Sequence, residues 1–332
     1  MSINTKIVAF DFEVAKNSIS NYDLEKILDT SDEWIYSRCG IKTRRVISND
    51  TTSTDLGIEA AKKVIKRANF NPNEIDMIIA ASSAPEDIYP SVSCLIQNAI
   101  LATNAACFDL RAACAGFIYS LNTAKAFIKS GLYKNILIVA TDSTTKFTDW
   151  QDRSTSVLFG DGAGAAIITS KNEGEDDIYD INLLADGSCG HFITLKMQGK
   201  NCPLVDEIQT QHDRFIHMKG KDVYKFVMTK IPPKIEELLS KNSMTIEDID
   251  YLIPHQSNQR MIEALAQRLN ISEDRVISNI EHYGNMSAAS IIVAIRESID
   301  KGIIKLPATV LLTAFGAGMS AGNAILKLEK NI

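Results

Sequence analysis

The sequence predicts an α/β protein assembled from two similar units, and three observations carry that prediction. Apolar runs of strand length alternate with stretches of helical periodicity, the second half of the chain repeats the grammar of the first, and a Gly-rich turn adjoins a strand late in each half. At 332 residues the chain also exceeds one ordinary core of about 150 residues, so two closely packed units are expected.

In the first half, helical patterning runs from about Asp55 to Arg67, the strand-like Asp76-Met77-Ile78-Ile79-Ala80 follows, and a helix near Ser91 to Leu101 precedes a helix that begins around Cys114. Apolar residues at Phe117, Ile118, Leu121, Ala124, Phe127 and Ile128 give that last helix a buried face, and Gly131 is a natural stop. From Ala112 to Leu121 it carries no charge, so its beginning is expected deep inside the protein. The second half runs through a helix from Val223 to Leu239, the strand-like Asp250-Tyr251-Leu252-Ile253, a helix from about Ser257 to Leu269 and a helix after Asn285.

Glu74-Ile75-Asp76 resembles Asp248-Ile249-Asp250 at a displacement of 174 residues, and Lys129-Ser130-Gly131 resembles Asp300-Lys301-Gly302 at 171. The value 171 also carries Cys114 onto Asn285, and Phe159-Gly160-Asp161-Gly162-Ala163-Gly164 is echoed by Phe315-Gly316-Ala317-Gly318. Such spaced self-similarity points to duplication of one α/β unit. The charged link Lys171 to Asp177 is the natural seam, which gives residues 1–172 as the half carrying the cysteine and 173–332 as the half carrying the histidine and asparagine.

Composition narrows the function class. Hydrophobic residues make up 45% and charged ones 23%, both ordinary for globular domains, and the net charge of −6 argues against general nucleic-acid binding. No segment reaches the roughly 18 uninterrupted apolar residues of a membrane span, and acids stand where a signal peptide would be apolar, so a cytoplasmic protein is expected. The six cysteines, at 39, 94, 107, 114, 189 and 202, form no Cys-x-x-Cys pair and no Cys/His cluster at zinc spacing; reduced thiols and no metal follow.

Three short stretches hold the chemistry: Cys114 in Ala112-Ala113-Cys114-Ala115-Gly116-Phe117, His255 in Pro254-His255-Gln256-Ser257-Asn258, and Asn285 in Tyr283-Gly284-Asn285-Met286-Ser287-Ala288-Ala289-Ser290. Each sits where a strand or loop feeds a helix. A helix N-terminus is expected to lower the pKa of the Cys114 thiol and to offer N–H groups to an oxyanion. His255 lies at the strand end where α/β proteins gather ligands, and His and Asn N–H donors sharing one carbonyl oxygen would stabilise an enolate. Taken singly, each residue has a plain alternative: a packed core cysteine, a structural histidine, a helix-capping asparagine. Phe159-Gly160-Asp161-Gly162-Ala163-Gly164 is no dinucleotide fingerprint, because Ala165-Ala166-Ile167-Ile168 reads as strand, and it is assigned to structure.

From about Ile19 to Leu328 these residues closely resemble 3-oxoacyl-(acyl-carrier-protein) synthase III, the initiating ketosynthase branch of the thiolase superfamily. The resemblance implies a thiolase-like duplicated α/β/α/β/α five-layer fold, a homodimer, and a decarboxylating Claisen condensation of an acyl-CoA primer with malonyl-acyl carrier protein to initiate fatty-acid synthesis. It implies Cys114 as the acyl acceptor, His255 and Asn285 on the malonyl thioester, and an oxyanion hole from the backbone N–H groups of Cys114 and Ala317. It implies no cofactor beyond the coenzyme A thioester substrate. Thr30-Ser31-Asp32-Glu33-Trp34-Ile35 with Arg38, and Asp152-Arg153, match its CoA pattern, in which Trp34 and Arg153 would sandwich adenine and Arg38 would meet phosphate. Acyl-pocket positions fall on Tyr89, Leu158, Met218 and Phe315, and carrier-protein docking on Lys225, Arg260 and Arg268.

The chain departs from the family pattern in lacking a Gly-rich, Pro-containing opening, in Ser154 after Asp-Arg, in Met286, and in Ser320-Ala321-Gly322 where a tryptophan is usual. These departures keep open a specialised acyltransferase or ketosynthase of secondary metabolism using a non-acetyl primer. A papain-like protease shares the Cys, His, Asn order and a His spacing of about 130–150 residues, but its local cysteine signature is missing. A non-catalytic partner subunit would be expected to lose the nucleophile.

Overall fold

Two mixed sheets organise the chain, whose computed structural model describes residues 3–196 and 214–332. Cys202 lies outside those residues. In the first sheet Asn4–Val14 pairs antiparallel with Gly162–Lys171, which pairs antiparallel with Asn135–Asp142; Met77–Ala81 and then Ala106–Leu110 continue it in parallel. In the second, Ile178–Ala185 pairs antiparallel with Ser320–Leu328, which pairs antiparallel with Ala308–Gly316, and Tyr251–Pro254 continues it in parallel. A parallel bridge between Leu252 and Val276 stands where the first sheet has Ala106–Leu110. Strand order and pairing sense are therefore the same in both sheets, and the duplication is written in the backbone.

Met77–Ala81 is buried at every position, as a strand covered on both faces must be. Helix Ser53–Ala68 starts on a capping box between Thr52 and Asp55, and its buried Leu56, Ala60, Ala61 and Val64 form the stripe that lies on the outside of the first sheet. Val92–Ala99 packs beside it. Gly220–Lys241, with Gln259–Arg268 alongside, covers the outside of the second sheet. Between the sheets lie Gly116–Lys129 and Ser290–Asp300, each touching strands of both. That central position explains the uncharged opening of the cysteine helix: Gly116, Phe117, Ile118, Ser120 and Leu121 are buried. The layers run α/β/α/β/α.

The structure corrects the register of the repeat. Before each central helix comes a 3₁₀ turn led by a left-handed residue, Ala113 (φ +46°) in Ala113–Ala115 and Ser287 (φ +49°) in Ser287–Ala289, a displacement of 174 residues. The helices then begin at Gly116 and Ser290, again 174 apart, but run for 14 and 11 residues. The three residues missing from the second helix shift the following Gly131 and Gly302 (φ +74° and +68°) to 171. Cys114 thus corresponds to Ala288, and Asn285 to Arg111. The match of Cys114 to Asn285 at 171 was a coincidence of spacing, because 171 applies only after the shortened helix.

Candidate active site

Cys114 stands in the 3₁₀ turn, two residues before the helix that it was expected to open. The end of strand Ala308–Gly316 closes directly on it: a Cβ at Gly316 would lie 2.6 Å from the Cys114 amide nitrogen, so only glycine permits that approach. Ser287 Oγ donates to Cys114 Sγ at 3.6 Å, tying the two repeated turns together across the molecule. Burial pushes the thiol up to about 11, against the bond from Ser287, and the Asp142 carboxylate adds to the rise. The resting thiol is therefore protonated at neutral pH. The expectation of a lowered value weighed the helix end and not the loss of hydration around the sulfur, which acts although the residue is only half-buried.

His255 follows strand Tyr251–Pro254 and is buried, its backbone N–H donating to the Thr313 carbonyl at 2.7 Å. Its Nδ1 lies 2.8 Å from Ser290 Oγ, and Phe315 presents a T-shaped contact at 5.6 Å between ring centroids. Burial drives its pKa down to about 3, which leaves a neutral imidazole with a single proton.

Asn285 is held by its own backbone, its N–H donating to the Leu158 carbonyl at 2.9 Å and its carbonyl accepting from the Gly160 N–H at 3.0 Å. Here the glycine motif assigned to structure has its use. A Cβ at Gly160 would lie 2.1 Å from the Tyr283 carbonyl oxygen, so the loop can dock only on a glycine. The side-chain Oδ1 accepts from the Ser287 N–H at 2.9 Å, which fixes the amide orientation and leaves the NH₂ group as the free, donating end. The capping role and the chemical role use opposite ends of one carboxamide.

One cavity of about 1420 Å³ takes in Cys114, His255, Asn285 and Ala317. Leu158, Met218 and Phe315 line it as well. Tyr89 does not: it lies on the loop after strand Met77–Ala81 and is 88% exposed, although its neighbour Ile88 lines the cavity. Trp34, Arg38 and Arg153 line the same cavity where it meets solvent. Helix Asp32–Cys39, capped by Ser31, presents Trp34 and Arg38, and the Asn258 side chain donates to the Arg38 carbonyl at 3.1 Å. Arg153 lies on the Trp34 face at 5.0 Å and donates to the Asp29 carbonyl at 2.6 Å. A planar ring between them would need about 7 Å, twice a carbon contact distance, so the gap is closed in this arrangement. Arg260 lines the cavity mouth, whereas Arg268, about 12 Å along the same helix, and Lys225 are exposed outside it.

Three contributors escaped the sequence reading. Ser287 and Ser290 lie inside the quoted asparagine stretch, yet only coordinates assign them to sulfur and imidazole. Asp142 ends the central strand Asn135–Asp142, lines the cavity, and accepts from the Ser83 and Ala84 N–H groups at 2.8 and 3.2 Å. Burial raises its pKa, and its Oδ2 has no partner among the described residues. Its place at the C-terminal end of a parallel strand was the available signal. Among the described residues, no three His, Cys, Asp or Glu side chains are grouped to hold a metal.

Residues 108–187 match the family profile of 3-oxoacyl-[acyl-carrier-protein (ACP)] synthase III, and residues 239–328 match that of its C-terminal part. The beta-ketoacyl-[acyl-carrier-protein] synthase III of Clostridium acetobutylicum is 43% identical over 327 residues, covering 98% of this chain and 99% of the relative. The crystal structure of 3-oxoacyl-[acyl-carrier-protein] synthase III from Aquifex aeolicus VF5 superimposes with a TM-score of 0.90 at 40% identity, covering 98% of this chain and all of that one. The priming beta-ketosynthase from the R1128 polyketide biosynthetic pathway superimposes with a TM-score of 0.89 at 29% identity, covering 100% and 98%. With these likenesses spanning nearly its whole length, the chain belongs to the 3-oxoacyl-(acyl-carrier-protein) synthase III family of condensing acyltransferases.

Proposed function

We propose that Cys114 takes an acyl group from acyl-CoA and that His255 and Asn285 then hold malonyl-acyl carrier protein while it loses carbon dioxide. The observation that carries this reading is the single cavity lined by sulfur, imidazole and carboxamide and continuous with Trp34, Arg38 and Arg153 at the surface. In the first step the Cys114 thiol gives up its proton, its sulfur attacks the primer carbonyl, and the CoA sulfur leaves and takes up a proton as the free thiol. In the second, the bond from the malonyl α-carbon to its carboxylate breaks. The electron pair becomes an enolate whose oxygen is met by the His255 N–H and the Asn285 NH₂. The enolate carbon attacks the acyl-cysteine, the new oxyanion sits against the backbone N–H groups of Cys114 and Ala317, and the Cys114 thiolate departs.

No resident cofactor is needed, since coenzyme A arrives with the substrate. Arg260 at the mouth, with Lys225 and Arg268 beyond it, offers positive charge to an acidic carrier. A cytoplasmic homodimer completes the proposal. Among the described residues no helix is long and apolar enough to cross a membrane.

The test is a single incubation with acyl-CoA and malonyl carrier, followed by mass measurement of the protein and detection of carbon dioxide and a β-ketoacyl product. Both products together support condensation; a stable acyl-cysteine that yields neither would overturn it. A second reading, a specialised relative with a non-acetyl primer, is favoured by the stretch Ser320-Ala321-Gly322, which lacks the family's usual tryptophan and whose Ser320 lines the cavity, and by the likeness to the polyketide priming enzyme. Competition among acyl-CoAs of different length and branching, read as mass added to the protein, separates the two.

A further inference from the structure

We infer that Ser290 is a positioning residue: its hydroxyl donates to His255 Nδ1, fixes the imidazole proton on Nε2, and so turns His255 into a donor facing the chamber. The inference deepens the reading above and rests on it for the step that is affected, though not for the proton's location.

Ser290 is the first residue of the central helix Ser290–Asp300 and is fully buried. Its Oγ has two neighbours at hydrogen-bonding distance, His255 Nδ1 at 2.8 Å and the Gln256 N–H at 3.3 Å. The Gln256 amide can only donate, so Oγ accepts there. The remaining question is which partner of the short Oγ to Nδ1 contact carries the proton. If Nδ1 carried it, Oγ would accept twice. Its own proton would then point into packed protein with no acceptor among the described residues, at a cost of about 1–3 kcal/mol for a buried unsatisfied donor. If Oγ donates instead, every polar atom of the group is satisfied. The neutral ring then carries its proton on Nε2.

The surroundings keep this choice from relaxing. Gln256 is itself immobilised, its Nε2 donating to the Pro254 carbonyl at 2.7 Å and its Oε1 accepting from the Asn279 N–H at 2.9 Å. Phe315 closes one side of the imidazole. The serine hydroxyl is thus the group that decides whether the chamber sees an N–H or a lone pair, and an enolate oxygen requires the N–H.

The test compares wild type with Ser290→Ala and Ser290→Thr in the full chain. Nitrogen-15 NMR of histidine-labelled protein, with His255 assigned by its absence in His255→Gln, reports the tautomer directly. The expected wild-type result is a protonated Nε2 and a bare Nδ1. In Ser290→Ala the signal should become a mixture of tautomers, and carbon dioxide release should fall at least about tenfold while Cys114 still acquires an acyl group. Ser290→Thr, which keeps the hydroxyl, should restore the wild-type tautomer. A wild-type Nδ1–H, or a Ser290→Ala protein with unchanged tautomer and decarboxylation, overturns the inference. A wild-type protein with protonated Nε2 but no acyl-cysteine would uphold it while refuting the proposed function.

Discussion

The turn that carries Cys114 and the turn that carries Ser287 are the same piece of backbone used twice. Each places a left-handed residue, Ala113 or Ser287, ahead of a 3₁₀ turn and a buried central helix. Yet the position occupied by the nucleophile in one half holds Ala288 in the other, and the position of Asn285 in one holds Arg111 in the other. Gly316 is pressed onto the first turn, and the Asn285 loop before the second is docked on Gly160. Duplication supplied two equivalent frames, and the proposed chemistry divides between them: covalent capture in the first half, hydrogen-bond donation in the second. The bond from Ser287 to Cys114 Sγ is where the two frames meet.

This division can be broken at several points, the largest effect coming from the nucleophile. Cys114→Ala should leave no acylated protein by intact mass and lower condensation by at least about 10⁴-fold, since a covalent step cannot be bypassed. Gly160→Ala should come next. Its methyl meets the Tyr283 carbonyl oxygen, and relieving that overlap displaces Asn285, with a stability loss of about 1–3 kcal/mol by thermal unfolding and a selective loss of decarboxylation. Trp34→Ala should raise the KM for acyl-CoA about tenfold with little change in kcat, because a stacking surface at the entrance binds ground and transition states alike.

Acidity gives the mildest probe. His255 is held neutral in the folded protein with a pKa of about 3, below its ordinary value near 6.5, so the unfolded chain binds the extra proton. Stability from this group is present above about pH 6.5 and is lost as the pH falls toward 3. His255→Gln should flatten the fall in Tm across that window. Cys114 behaves in the opposite sense: with its thiol pushed up to about 11, acyl transfer should accelerate as pH rises from 7 to 10, without a plateau near 8.

Much of this was legible in the chain. Periodicity located the first central helix, the repeated order of elements located the second, and the uncharged opening of the first announced its burial. Cys114, His255 and Asn285 were identified from their stretches and line one cavity. What escaped depended on distances that sequence spacing does not encode. The 171-residue match misassigned the repeat because a three-residue shortening of one helix is invisible without its ends. The thiol pKa is raised and not lowered because loss of hydration around a half-buried sulfur outweighs the helix end, and only packing reveals that loss. Tyr89 was placed in the pocket by analogy, whereas it is exposed on a loop whose Ser83, Ala84, Pro85, Glu86 and Ile88 line the cavity. Ser290 was quoted as part of a motif but could not be assigned until its two neighbours were known.

The account's central claim is that acyl capture and decarboxylation belong to different halves of one chamber. Asn285→Ala, incubated with acyl-CoA and malonyl carrier and followed at once by protein mass and carbon dioxide release, tests it most directly. The account predicts full acylation of Cys114 and carbon dioxide release reduced about 10²–10³-fold, the usual cost of removing one oxyanion donor. Undiminished carbon dioxide release, or failure of Cys114 to take up the acyl group, would contradict it.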